Sequence, residues 1–174
     1  RIPELLNHLS LSELECEFRT QVETVIATGL KPTHLDSHCH IHIRRKDIFE
    51  MTSSLSKEYG IALRVGSREF IDSLRKQGFP TDDHSTLDSY RLETRDKPVL
   101  YPKLLRELPP GLSEWAIHPG IGDEELKSIM PDWEVRQADF DFFTSKEARE
   151  IVEEENINII SYRPLLDAWE RIRY

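Results

Sequence analysis

Residues 33–42, Thr-His-Leu-Asp-Ser-His-Cys-His-Ile-His, concentrate side chains that can bind a metal ion or transfer a proton. Four of the seven histidines of the chain lie between positions 34 and 42. The even positions from 34 to 42 are His, Asp, His, His and His, whereas the odd positions from 35 to 43 are Leu, Ser, Cys, Ile and Ile. Because successive side chains of an extended chain point to opposite faces, this alternation predicts a strand with imidazoles and one carboxylate on a single face.

Imidazole and carboxylate groups are common ligands of divalent metals, so this face predicts a metal site. A ligating imidazole usually donates its second N–H to a carboxylate or a carbonyl, so not every histidine here can be a ligand. Asp36 can accept such a bond or act as a base. Spacing alone does not separate His38 from His40. A solvent-facing edge strand and a structural metal site stay open as alternatives.

A second candidate is His118, which follows the apolar residues of Glu-Trp-Ala-Ile-His-Pro-Gly at 114–120. Ligands and catalytic groups of α/β folds lie at the carboxyl ends of parallel strands, and His38 and His118 are both predicted at such ends. The alternative for His118 is a strand-end imidazole bonded to a loop carbonyl. Arg64 also lies near a strand end, where a buried guanidinium needs a partner such as a carboxylate.

The elements that must position these residues follow from apolar periodicity and from capping residues. Helices are predicted over 11–28, 46–59, 67–77, 98–108, 134–142, 146–154 and 164–173, and strands over 33–37, 61–65, 114–118 and 158–162. Strands separated by helices pair in parallel through crossover connections, so we expect an α/β fold, as an open sheet or as part of a barrel.

The length of 174 residues, with 38% hydrophobic residues, predicts a single domain over 1–174. The net charge of −9 argues against non-specific nucleic-acid binding and against attachment to an anionic membrane. No apolar run approaches the roughly 18 residues of a membrane helix. Two cysteines, Cys16 and Cys39, do not make a disulfide framework, so we expect a reducing cytoplasm.

Residues 31–42, Lys-Pro-Thr-His-Leu-Asp-Ser-His-Cys-His-Ile-His, resemble the signature of the YdjC-like carbohydrate deacetylases, a family that includes the chitooligosaccharide deacetylases. The similarity continues in Gly-Ile-Ala-Leu-Arg at 60–64, in Glu-x-x-x-His-Pro-Gly at 114–120, and in the segment from Arg136 to Arg163. It covers nearly the whole chain from about residue 11.

This resemblance implies part of a (β/α)-barrel-like fold, a divalent metal (Mg or Zn), and hydrolysis of an N-acetyl group on a short amino-sugar oligosaccharide. Carried over residue by residue, His38 is the metal ligand. His118, in the His-Pro motif, is placed near the reacting group, with Asp36 as the second catalytic residue. Arg64 and His40 are assigned to substrate binding.

Family members also carry an Asn-Ala-Asp-Asp-Phe-Gly segment and a Gly-x-His segment, whose Asp and His complete the metal site. Neither motif occurs in these 174 residues. We therefore expect the chain to correspond to the C-terminal part of the enzyme. By itself it is expected to bind metal weakly and to have little or no deacetylase activity, because a catalytic metal needs about three protein ligands.

Two other functions are compatible with the sequence. One is a non-catalytic, truncated paralogue that acts as a binding or oligomerisation module. The other is a different metal-dependent hydrolase, such as a phosphoesterase, that uses His34, Asp36 and His38 together. A partial barrel would leave strand edges and apolar surface exposed, so we expect a homo-oligomer.

Overall fold

The computed structural model describes residues 2–172 and is rich in helix, with short parallel strands. The chain divides into two compact units. The first comprises Arg1–Thr81 and Ile160–Tyr174, and the second comprises Asp82–Ile159. The prediction of one domain over 1–174 stays a prediction. Between residues 2 and 172, no helix has both the length and the apolar character needed to cross a bilayer.

The helices are α1 (Ile2–His8), α2 (Leu11–Ala27), α3 (Lys46–Tyr59), α4 (Arg68–Lys76), α5 (Lys97–Arg106), α6 (Glu124–Ile129), α7 (Trp133–Phe143), α8 (Lys146–Glu154) and α9 (Arg163–Ile172). The strands are β1 (His34–Leu35), β2 (Ala62–Leu63), β3 (Leu87–Asp88) and β4 (Trp115–Ala116), and 3₁₀ turns occupy His38–Ile43, Ser89–Arg91 and Thr94–Asp96.

In the first unit, β1 and β2 pair in parallel, with His34 opposite Ala62 and Leu35 opposite Leu63. The crossover between them is α3, whose sequence has apolar residues at helical spacing. Gly60 ends α3 in the left-handed conformation (φ 67°), and its N–H bonds to the last turn, as glycine does readily at a helix end. One core of this unit is formed by Phe49, Leu63, Val65, Ile71, Leu74, Phe79 and Trp169. This core packs β2 against α3, α4 and α9.

In the second unit, β3 and β4 also pair in parallel, with Leu87 opposite Trp115 and Asp88 opposite Ala116. The connection between them contains α5. The core here is formed by Tyr101, Leu105, Phe142, Ala148 and Ile151, contributed by α5, α7 and α8. The sequence did not predict β3, because residues 78–96 are rich in polar and turn-forming residues.

The prediction of an α/β class with parallel strands is confirmed. Its strands are shorter than expected, and residues 2–172 form two separate two-stranded sheets, so the barrel stays a prediction. The predicted strand over 158–162 is wrong. β-branched residues favour a strand only where a neighbouring strand pairs with them, and no described strand is hydrogen-bonded to this segment. Ile159 and Ile160 are instead exposed.

Candidate functional site

The histidine-rich segment is extended only as far as Ser37, which contradicts the alternating strand predicted over 34–42. Beyond Ser37 the chain turns, because Cys39 and His40 adopt left-handed backbone angles (φ 54° and 55°). The hydroxyl oxygen of Ser37 accepts the backbone N–H of His42 at 3.1 Å, which closes the segment on itself. The imidazoles therefore do not form one row on one face.

His42 is the imidazole that this turn buries, with 1% of its surface exposed. Its Nε2 lies 2.7 Å from the carbonyl oxygen of Arg64, and its Nδ1 lies 2.6 Å from the hydroxyl of Ser37. A carbonyl only accepts, so these contacts assign the proton to Nε2 and make Nδ1 an acceptor. Burial lowers the pKa of His42, although the bond to the Arg64 carbonyl opposes that shift. His42 is thus a neutral residue that ties the turn to the end of β2.

His38 and His40 are exposed just beyond the carboxyl end of β1, so their rings can accept a ligand. His34 is packed differently. Its ring stacks on that of Tyr162, with centroids 4.0 Å apart and planes 16° apart. Its Nδ1 also lies 3.1 Å from the hydroxyl of Thr33. His38 therefore keeps its position as the candidate metal ligand, and His40 keeps its position as a candidate substrate contact.

Asp36 and Arg64 form an ion pair at 2.9 Å across the ends of β1 and β2. The parallel register explains the pairing, because Asp36 and Arg64 each follow the last paired residues, Leu35 and Leu63. The Arg64 side chain is 16% exposed and that of Asp36 is 36% exposed. The carboxylate partner that the sequence required for Arg64 is thus Asp36, which orients both groups toward the same end of this small sheet.

The described residues do not by themselves build a metal centre. Between residues 2 and 172, no three His, Cys, Asp or Glu side chains cluster so that they could hold an ion. This also argues against a site made of His34, Asp36 and His38. His38 can offer one donor, whereas a catalytic zinc usually has three protein ligands.

His118 lies in the second unit, two residues beyond β4, and its neighbour Tyr90 lies two residues beyond β3. The two rings meet edge to face, with centroids 4.5 Å apart. Interaction with the Tyr90 hydroxyl lowers the pKa of the nearby Asp132, and the charges of Arg136 and His118 act in the same direction. His118 therefore lies at a strand end beside an exposed aromatic ring and two charged groups.

Beneath His118 is a buried polar cluster that the sequence analysis missed. The carboxylate of Asp139 accepts the backbone N–H of His118 at 2.8 Å, the ammonium of Lys97 at 2.9 Å, and the hydroxyl of Tyr101. Lys97, Tyr101 and Asp139 are each fully buried, with 0% of the residue surface exposed. The available signal was helical spacing, because Asp139 falls on the stripe formed by Val135, Phe142 and Phe143, where a carboxylate would not be expected.

Competing effects set the ionisation of this cluster. Burial by itself raises the pKa of Asp139, but interactions with Tyr101 and Ser89, with the His118 N–H and with Lys97 outweigh it, so the pKa is lowered. Burial raises the pKa of Tyr101, and the adjacent carboxylate of Asp139 raises it further. The stable arrangement is a carboxylate facing an ammonium and a neutral phenol.

The loop after His118 is bound along α7. The N–H of Gly120 donates to the carbonyl of Arg136 at 3.1 Å, and the N–H of Gly122 donates to the side-chain oxygen of Gln137. A Cβ on Gly122 would lie 2.6 Å from the ring of Trp133. The two glycines of Pro-Gly-Ile-Gly thus allow the backbone to approach α7 closely.

The predicted site residues are divided between the two units. Asp36, His38, His40 and Arg64 belong to the first, and His118 belongs to the second. Within the first unit, the structure joins Asp36 to Arg64 and places His38 beyond the same strand. That His38 and His118 act on one substrate stays a prediction.

Comparison with known proteins gives a consistent result. Residues 1–154 match the model of the family described as YdjC-like protein. A carbohydrate deacetylase of Clostridium beijerinckii is 26% identical over 165 residues, which cover 93% of this chain and 65% of that protein. A carbohydrate deacetylase of Enterococcus faecalis is 27% identical over 165 residues, with coverage of 90% and 62%.

A solved structure supports the same relationship. The crystal structure of an Enterococcus faecalis protein, provisionally described as a cellobiose-phosphate cleavage protein, matches with a TM-score of 0.70 and 26% identity. The match covers 91% of this chain and 62% of that one. The chain thus spans less than two thirds of the length of these relatives. Since the family model covers most of its residues, the chain belongs to the YdjC-like family.

Proposed function

We propose that this chain is part of a metal-dependent hydrolase that removes N-acetyl groups from short amino-sugar oligosaccharides. The observation that carries the proposal is the family match over residues 1–154, to which relatives named carbohydrate deacetylase add the reaction class. The positions of His38 and His118, each just beyond a parallel strand, support it, because α/β enzymes place their reactive groups there.

His38 is the residue through which this chain would contribute to a metal site. A bound Mg or Zn ion would polarise the acetyl carbonyl and lower the pKa of a bound water. Since residues 2–172 offer no cluster of three ligands, we expect the chain alone to bind such an ion weakly.

The other site residues have roles that follow from their own chemistry. The leaving sugar amine needs a proton, and the His118 imidazole is the proposed donor. Asp36 is proposed to orient or deprotonate a reacting group, with its carboxylate held in place by Arg64. Arg64 and His40 are proposed to contact sugar hydroxyls.

The contacts of the first unit favour this function over the phosphoesterase alternative. A site on His34, Asp36 and His38 would require all three to face one ion. His34 instead stacks on Tyr162, and Asp36 pairs with Arg64.

A cytoplasmic location and a homo-oligomeric state remain part of the proposal. Light scattering of the purified chain tests the latter, and a monodisperse monomer would contradict it.

The activity test measures acetate release from di-N-acetylchitobiose in Mg²⁺ or Zn²⁺, with two proteins. The first is the 174-residue chain, from which we expect little or no release. The second is the same chain fused behind the N-terminal part of the Clostridium beijerinckii relative, from which we expect metal-dependent release. His118→Ala should reduce that release about 100-fold or more, as loss of a proton-transfer group does. His38→Ala should reduce it at least as strongly, because it removes the proposed metal ligand.

His8→Ala is the matched control, because His8 is an exposed histidine outside the proposed site and its loss should leave the rate unchanged. A folded fusion that releases no acetate, or one that is insensitive to loss of His38, would refute the proposal. Full turnover by the 174-residue chain would instead show that its own site is complete. Zn²⁺ titration of the chain and of His38→Ala tests the metal contribution without any need for turnover.

A further inference from the structure

We propose that Asp139 is a positioning residue for His118, and that the buried ammonium of Lys97 holds the Asp139 carboxylate in place for this role. The inference rests on the proposed function in taking His118 as the group beside the reacting amide. It assigns a role to two side chains, Lys97 and Asp139, that the proposed reaction does not otherwise use.

The geometry gives the two carboxylate oxygens of Asp139 different tasks. Oδ1 accepts hydrogen bonds from the ammonium of Lys97, at 2.9 Å, and from the hydroxyl of Tyr101. Oδ2 accepts the backbone N–H of His118, at 2.8 Å. The ammonium of Lys97, which lies in α5, also donates to the carbonyl of Val135 in α7. The ammonium is thus fixed to α7 by two bonds, and it fixes the Asp139 carboxylate in turn. The carboxylate therefore presents Oδ2 to His118 from a fixed position.

Packing alone does not require a charged group at this place. Burying a carboxylate and an ammonium is costly, and well-packed apolar residues of similar size often serve stability as well or better. A carboxylate can accept a backbone N–H where an apolar side chain cannot, and a bond to an ionised acceptor is stronger than a neutral one. The charge pair thus has a use at His118 that an apolar pair would not have.

The backbone on the other side of His118 is restricted as well. Pro119 disfavours helical angles at the residue before it, and the N–H of Gly120 is bound by the carbonyl of Arg136. His118 is therefore held on both sides, through Asp139 at its N–H and through Pro119 and Gly120 beyond it. This leaves its imidazole against the ring of Tyr90, with centroids 4.5 Å apart.

The test uses NMR of the folded 174-residue chain, so it does not depend on activity. The variant is Lys97→Met combined with Asp139→Asn, which removes both charges together and avoids an unpaired buried ammonium. We expect the His118 amide to exchange with solvent about tenfold faster or more, because it loses a bond to a charged acceptor. The imidazole proton shifts, which the Tyr90 ring influences, should also move.

Tyr101→Phe is the matched control, since it removes a donor to Oδ1 and leaves Oδ2 on the His118 N–H. Its His118 signals should stay where they are in the wild type. Unchanged His118 signals in a folded double variant would overturn the proposal. If the double variant does not fold, Asp139→Glu replaces it. That substitution keeps the charge but moves the carboxylate by one methylene, so the His118 signals should again move, and their constancy would refute positioning.

Kinetics separates this inference from the proposed function. In the active fusion, the double variant should lower kcat about 100-fold with little change in KM, as misplacement of a reacting group does. In a fusion that already carries His118→Ala, the double variant should cause no further decrease in kcat. An active fusion that tolerates loss of Asp139 would overturn positioning and leave the deacetylase proposal standing. If the fusion is inactive but the His118 NMR signals of the chain change when Asp139 is substituted, the deacetylase proposal is overturned and the positioning role stands.

Discussion

Replacing His42 with alanine tests whether the turn after β1 is held by a buried neutral imidazole. The substitution removes two ring hydrogen bonds, each with a net contribution of about 1 kcal/mol. It also leaves the Ser37 hydroxyl and the Arg64 carbonyl without this partner and removes a ring that is 1% exposed. Together these losses predict a decrease of about 2–4 kcal/mol in the free energy of unfolding.

The pH dependence provides a second, independent quantity. Burial lowers the pKa of His42 in the folded chain, whereas in the unfolded chain it titrates near 6.5. Above about pH 6.5 neither state binds the proton, so the stabilisation is complete. Below it, the unfolded chain binds more protons, and the stability falls as the pH falls toward the folded pKa. The slope for one group cannot exceed about 1.36 kcal/mol per pH unit.

Urea unfolding followed by circular dichroism, from pH 5 to 8 at constant ionic strength, measures both effects. His42→Gln removes the titrating group, so the difference from the wild type isolates its contribution from that of the other histidines. His8→Gln is the control, because His8 is exposed and its loss should leave the free energy of unfolding unchanged. Amide exchange in α3 would report on the first unit by itself.

Two results would refute this reasoning. The first is a cost below about 0.5 kcal/mol for His42→Ala, the size of an ordinary surface change. The second is an unchanged pH slope in His42→Gln. Either would mean that the ring is solvated, and the account of the turn would have to be abandoned.

Two further predictions concern the second unit. The lowered pKa of Asp139 contributes stability above its unfolded pKa of about 3.9, and this is lost as the pH falls through the folded pKa. Tyr101→Phe removes one donor to that carboxylate, so the midpoint of acid unfolding, followed by circular dichroism, should move to higher pH; no movement would contradict the assignment. Gly122→Ala should lower the melting temperature by about 3–8 °C, because its Cβ would lie 2.6 Å from the Trp133 ring. Gly120→Ala, whose Cβ would meet the tip of Leu126 at 3.2 Å, should lower it less, and equal effects would contradict this account.

Within the described residues, local patterns predicted every helix except α1 and α6, because helical spacing and capping depend on neighbours in the sequence. They located β1, β2 and β4, but they missed β3 and predicted a strand over 158–162 that does not form. The apolar spacing of α3 and its terminal Gly60 were readable directly, and so was the short apolar strand before Arg64. The alternation over 34–42 misled because a period of two assumes extended backbone. Two left-handed residues, Cys39 and His40, break that assumption, and neither is a glycine that would have signalled it.

Pairings between distant residues were only partly accessible. The need of Arg64 for a carboxylate followed from burial of a charge, but the choice of Asp36 required the parallel register of β1 and β2. The anchoring of His118 by Asp139 lay beyond sequence reasoning. It joins residues 21 positions apart, and the place of Asp139 on the apolar stripe of α7 does not by itself identify His118 as its partner.

Residue types and their spacing therefore determined the family, the helical and parallel-strand character, and the set of side chains able to do chemistry. Tertiary structure decided which imidazole is buried, which are exposed, and which carboxylate holds each strand end. The physical reason is that solvation and hydrogen-bond partners come from elements far apart in the chain. The same imidazole side chain is thus a neutral structural residue at His42 and an exposed candidate ligand at His38.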